Sequence, residues 1–316
     1  MRRFWRIAAG VLALALTVYF VIVASRALDA AMLRQAFASP GVWLAVFIAA
    51  LLYALIIPVS GWAWSALLAA RSETWSPSVL SMTLGLSQLA KYVPGNIAQH
   101  AARAAIAVRG GMAPTSLVVT VAQETVLAVA ASVAVGLLAL LASGRGLASL
   151  GSEHFNVLMI SSGVLCVAVL LLSISLGAKR YRPSGRIADL LATLTTLPGR
   201  RATGKALSAY AFNYLLIGVG LWCVAVALEE SENMTYAVLT SAFALSWLLG
   251  FLTPGSPAGL GAREGIMLML LQGVASSEKL VVFVLLARVV TMVGDVISFV
   301  GAAMLQVRIK HVESNR

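Results

Sequence analysis

The feature that most constrains this chain is a succession of apolar stretches, each long enough to cross a bilayer and separated by short loops that hold most of its charges. Crossing the hydrocarbon takes about 20 mainly apolar residues. Such stretches occupy residues 7–25, 42–63, 116–141, 157–176, 206–228 and 280–307. Charged residues make up 11% of the chain against 60% hydrophobic, and mean hydropathy is +0.93. A soluble domain carries about 25% charged residues, so this sequence lacks the polar surface to cover a water-soluble globule. The expected fold is an all-α polytopic membrane protein.

The net charge of +11 does not imply nucleic acid. Its Lys and Arg residues sit in loops between apolar runs, where they mark the cytoplasmic side and meet anionic lipid. Cys166 and Cys223 lie within apolar runs and read as small core residues, not as a disulfide or metal site. Arg2, Arg3 and Arg6 before the first run imitate a signal peptide, but the run exceeds a usual signal core and further spans follow, which favours a retained anchor.

Two regions break the pattern. Residues 78–93 and 237–253 are apolar but stop at Pro94-Gly95 and Pro254-Gly255, and shorter segments, 97–108 and 260–271, follow them. Proline with glycine ends a helix and permits a turn. Each region reads as two half-helices, expected to form a re-entrant hairpin; the alternative is a loop turn between ordinary spans. The positive-inside rule places Arg2, Arg3, Arg6, the basic cluster from Lys179 to Lys205, Arg308 and Lys310 in the cytoplasm and Glu229, Glu230 and Glu232 outside; Arg71, Arg103 and Arg109 flank the first hairpin, which should then enter from the cytoplasm. Both termini are then cytoplasmic, in an inner or plasma membrane.

That topology exposes an internal repeat within a single membrane domain, with units at 1–150 and 151–316. Each runs span, span, hairpin, span. The first motif is Leu89-Ala90-Lys91-Tyr92-Val93-Pro94-Gly95 and the second Leu249-Gly250-Phe251-Leu252-Thr253-Pro254-Gly255; Arg103 and Arg263 each stand nine residues after the motif proline. The units begin on opposite sides, and inverted repeats with paired broken helices are a transporter signature. Residues 187–197, between basic clusters, read equally well as an interfacial helix or as a linker.

Charges inside spans are costly, about 2.5–3.5 kcal/mol each on insertion scales, and usually face a cavity or a partner. The candidates are Lys91, Arg103, Glu124, Arg263, Glu264, Arg288 and Asp295, with Asn96, Gln99 and His100 beside the first hairpin. Arg263 follows a run of small residues at a half-helix start, a place suited to a phosphate; the alternative is a structural pair with Glu264 or Glu124. His100 suits proton transfer or a structural hydrogen bond. Glu124 and Arg288 occupy corresponding spans and invite a contact across the repeat, either switching or static. Metal-ligand spacings and nucleophile motifs are missing from the sequence, so neither catalysis nor a cofactor is expected.

At Lys91-Tyr92-Val93-Pro94-Gly95-Asn96 and from Pro254 to Glu264 the chain resembles the flippase-like, lysylphosphatidylglycerol synthase transmembrane-region family, over nearly its whole length. The resemblance implies movement of aminoacylated or other anionic phospholipids, or polyprenyl-linked sugars, across a membrane. It assigns Arg263 and Glu264 to the hairpin motif and Glu124 to the acidic position of the middle span. Ala98-Gln99 departs from the Gly-Glu of many members, Thr125 replaces a basic residue, and the soluble synthase domain is missing. The expectation is therefore a lipid flippase, with Arg263, Glu264, Arg103, Lys91, Glu124, Arg288, Gln99 and Asn96 as headgroup-binding residues. Its partners would be membrane lipids, with a homodimer or envelope-synthesis enzymes also compatible. The rival is an accessory subunit or membrane enzyme of glycolipid synthesis.

Overall fold

The computed structural model describes residues 34, 36–93, 98–143, 198–252, 259 and 261–314. The expected spans at 7–25 and 157–176, the segment 187–197, Cys166, Asn96 and both Pro-Gly turns lie outside them. The described residues are helical, without strands, and four helical stretches are long and apolar enough to cross a membrane.

The first is bent. α1 (Pro40–Ala54) and α2 (Ile56–Ala69) form one apolar stretch of 30 residues, broken at Leu55. Pro58 explains the break: it has no N–H for the Ala54 carbonyl, and its ring crowds that carbonyl. Proline also starts helices here. Pro40, Pro77 and Pro114 each stand at a first helical position, where the missing N–H would have no partner anyway. The remaining full spans are α5 (Pro114–Ala142), α6 (Arg200–Ala227) and the apolar part of α9 (Ser277–Ser314).

Between them lie shorter helices. α3 (Pro77–Ser87) tightens into a 3-10 helix at Gln88–Tyr92, and α4 (Ala98–Arg109) follows. α7 (Tyr236–Leu252) is followed by α8 (Ala262–Leu271). At 1.5 Å per residue, α4 is about 18 Å long and α8 about 15 Å, roughly half the hydrocarbon thickness. The order of span, two short helices and span thus occurs twice, around α3–α4 and around α7–α8.

Close helix packing rests on small residues, as is usual where hydrophobic exclusion from water cannot drive association. A Cβ on Gly85 of α3 would stand 2.5 Å from the Ala302 Cβ of α9. One on Gly220 of α6 would stand 3.1 Å from Ala49 of α1, and one on Gly294 of α9 would stand 2.5 Å from the Tyr53 ring of α1. α6 also packs on α2, α5 and α7. Phe47, Leu138, Leu141, Met304 and Val307 face outward and are more than half exposed, which hydrocarbon accommodates and water would not.

Two polar ties fix the helix ends. Lys279, at the start of α9, pairs with Glu230, between α6 and α7. Arg71, between α2 and α3, donates to the Ser116 hydroxyl at the start of α5 (3.4 Å). Each tie brings the end of a short-helix pair back beside its beginning.

Candidate functional site

α1, α2, the short helices, α5, α6 and α9 surround a cavity of about 570 Å³, within the roughly 300–1,000 Å³ typical of ligand sites. Six of the eight residues proposed from sequence line it: Lys91, Gln99, Arg103, Glu124, Arg263 and Arg288. Asn96 falls outside the described residues. Glu264 does not line the cavity, because both of its carboxylate oxygens are committed elsewhere.

That commitment follows from local chain geometry. Gly259 and Gly261 adopt left-handed φ values of +71° and +78°, accessible to glycine at little cost. The turn starts α8 at Ala262, and the Gly261 N–H donates to Glu264 Oε2 (2.8 Å), which ties down an otherwise unbonded N–H of the first turn. Glu264 Oε1 takes Arg288 Nη1 of α9 (3.2 Å). Glu264 therefore holds the start of α8 against α9. Arg263, one residue earlier, points the other way. Its guanidinium lies over the Phe243 ring of α7 at 4.6 Å. Gly250 allows this approach, since a Cβ there would meet the Arg263 Cβ at 3.1 Å.

The first pair of short helices is anchored similarly, with the signs exchanged. Arg103 of α4 places Nη2 2.6 Å from Glu124 Oε2 of α5, and its guanidinium stacks 3.7 Å from the Trp64 ring. In both halves the second short helix is ion-paired to the span that follows it: cation to carboxylate in the first, carboxylate to cation in the second. The contact envisaged between Glu124 and Arg288 across the repeat is not formed; each pairs within its own half.

A third cluster joins the first short helices to α9. Asp295, fully buried, accepts from Lys91 Nζ (2.7 Å) and Gln88 Nε2 (3.0 Å) at Oδ1, and from the Tyr92 hydroxyl (2.5 Å) at Oδ2. Gln99 extends the chain by donating to Gln88 Oε1 (3.0 Å), so the amide found where a family carboxylate is common serves a neutral link. Thr125 bonds back to its own helix at the Val121 carbonyl, and His100 lines the cavity on the exposed face of α4.

The charges can now be matched. Four cations line the cavity, and three carboxylates, Asp295, Glu124 and Glu264, neutralise Lys91, Arg103 and Arg288. Arg263 has no carboxylate within salt-bridge distance among the described residues. It pairs with neither Glu264 nor Glu124, the two structural partners open to it from sequence. It is 9% exposed, an expensive place for an uncompensated charge.

The sequence is matched by the family described as lysylphosphatidylglycerol synthase TM region, over residues 9–298. The chain belongs to this family. No curated protein matches it. Family membership and the apolar helices together make it a multi-pass membrane protein.

Sequence reading missed several polar residues of the cavity: Tyr53, Gln88, Tyr92, Tyr210, Asn213 and Tyr214. A usable signal existed for three of them. Tyr210, Asn213, Tyr214 and Ile217 recur at helical spacing on α6, so they share one face, and three of the four are polar in an apolar span.

Proposed function

We propose that this family member is a lipid flippase, which moves an anionic phospholipid or a polyprenyl-phosphate-linked glycolipid between leaflets and is not an enzyme. The carrying observation is Arg263: a buried cation in the membrane region, facing a cavity, while every carboxylate around it holds another cation. An anionic headgroup supplies the missing charge. Phosphate suits the guanidinium, which offers several N–H donors in a rigid planar fork. The headgroup occupies the cavity and the tails remain in lipid.

The two polar ties support re-entrant short helices. Because Lys279 meets Glu230 and Arg71 meets Ser116, each short-helix pair enters and leaves on one face. Together with the inverted units 1–150 and 151–316, this arrangement suits alternating access, in which each hairpin opens the cavity to one leaflet. The basic loops favour cytoplasmic termini in a plasma or inner membrane.

The test is mass spectrometry of lipids retained after gentle purification, comparing the natural chain with Arg263→Ala. An anionic lipid that is lost in the variant, with folded protein recovered at normal yield, supports this function. Equal retention by both proteins overturns it.

A further inference from the structure

Two buried polar side chains of α6 retain hydrogen-bonding capacity, one of them without a partner among the described residues. Asn213 Oδ1 meets no hydrogen-bond donor among the described residues although Asn213 is only 8% exposed, and the Tyr210 hydroxyl, on a residue 5% exposed, has the Glu124 carboxylate beside it. Both residues line the cavity. A buried, unsatisfied polar atom costs about 1–3 kcal/mol, so Asn213 Oδ1 calls for a donor from a ligand or ordered water. The Asn213 amide is oriented by its own bond, donating from Nδ2 to the Ser60 hydroxyl of α2 (3.0 Å). Its carbonyl oxygen is thereby left as an acceptor.

The third member of this corner is Glu124. The Tyr210 hydroxyl adjoins its carboxylate. Glu124 Oε2 lies 2.6 Å from Arg103 Nη2. The pair is neutral in sum, yet its carboxylate retains accepting capacity. One hydroxyl and two acceptors from three different side chains therefore converge, and Asn213 Oδ1 has no donor among the described residues.

We propose that Tyr210, Asn213 and Glu124 form a subsite for the uncharged polyol of the transported headgroup, a glycerol or a hexose. The inference rests on the reading of Arg263 as the phosphate ligand in the same cavity and adds the chemistry at the headgroup's other end. Hydroxyl groups donate to Asn213 Oδ1 and Glu124 Oε2, and accept from or donate to Tyr210. Ammonium groups, which also donate, fit worse. Arg103 already neutralises Glu124 and stands beside it, and the cavity carries one excess positive charge at Arg263. An amine would add a second, whereas a hydroxyl adds none.

The experiment is competitive lipid retention by the full chain in mixed micelles, read by native mass spectrometry. The probes are phosphatidylglycerol and phosphatidylmethanol, which carry the same single phosphodiester charge but differ in hydroxyls, with phosphatidylcholine as reference. Natural protein is expected to favour phosphatidylglycerol about tenfold, the worth of one or two neutral hydrogen bonds. In Tyr210→Phe and in Asn213→Leu the ratio falls toward one. Tyr210→Phe removes a single oxygen and leaves the Asn213–Ser60 bond in place, so it keeps the test sound if Asn213→Leu, which breaks that bond, fails to fold.

In Arg263→Gln both anionic lipids weaken together while their ratio persists. A ratio of one in the natural protein both here and in the polyprenyl arm below, or a ratio untouched by both α6 variants, overturns the subsite while leaving the Arg263 reading intact. Failure to retain either the anionic phospholipids or the polyprenyl phosphates of that arm above phosphatidylcholine removes both. A further arm replaces phosphatidylglycerol by a polyprenyl-phosphate hexose against bare polyprenyl phosphate. Discrimination in that arm alone assigns the subsite to a sugar, and in the first alone to glycerol.

Discussion

At the scale of single residues, the site is organised by which carboxylate each cation meets. Asp295 is fully buried and receives three donors, among them Lys91. Removing Lys91 strands that carboxylate, so Lys91→Met is expected to destabilise the protein by about 3–5 kcal/mol. Pairing the change with Asp295→Asn removes the stranded charge and should recover a large part of the loss, as measured by thermal unfolding in detergent. Arg263 behaves differently because no carboxylate among the described residues would be stranded by its loss. Arg263→Gln should leave stability near that of the natural chain, or raise it, while lipid retention falls; a drop in melting temperature comparable to that of Lys91→Met would identify Arg263 as structural.

At the scale of elements, glycines set how closely helices approach and where short helices begin. Gly85 allows α3 to touch α9 at Ser298 and Ala302. Gly85→Val should cost about 1–3 kcal/mol through overpacking, or separate α3 from α9 and with it the Lys91–Asp295 pair. Gly261 adopts φ +78° and presents its N–H to Glu264. An L-residue in that conformation costs about 1–2 kcal/mol, so Gly261→Ala is expected to loosen the start of α8. The readout is hydrogen exchange of α8, faster in the variant while that of α5 is unchanged.

At the scale of the whole molecule, each half binds a short helix to the next span through one ion pair, with opposite polarity. The arrangement predicts a charge-swap result. Arg103→Glu and Glu124→Arg should each destabilise the fold by placing like charges together, and the double exchange should restore part of the stability. A cycle over these variants with coupling below about 0.5 kcal/mol would show that the pair does not hold α4 to α5.

Much of the element pattern was legible in the sequence. Spans expected at 42–63, 116–141, 206–228 and 280–307 appear as α1–α2, α5, α6 and α9, and the four short helices fall within two residues of their expected starts. Proline and glycine punctuation and the length of apolar runs are local properties, read without knowing what packs on what. The bend at Leu55 was overlooked although Pro58 signals it, because the run of apolar residues continues through it. The intramembrane charges were also legible, since each is conspicuous against its apolar surroundings.

Their partners were not. Lys91 and Asp295 are 204 positions apart, and nothing in spacing distinguishes a Glu124–Arg288 contact from the observed Arg103–Glu124 and Glu264–Arg288 pairs. Which cation remains uncompensated depends on the docking of α3, α4 and α8 against α5 and α9. Composition and local periodicity thus determined that this chain lives in a bilayer and where its helices break. Tertiary packing alone decided that Arg263 faces the cavity with no carboxylate paired to it among the described residues, because ion pairing depends on distance in space and sequence records only distance along the chain.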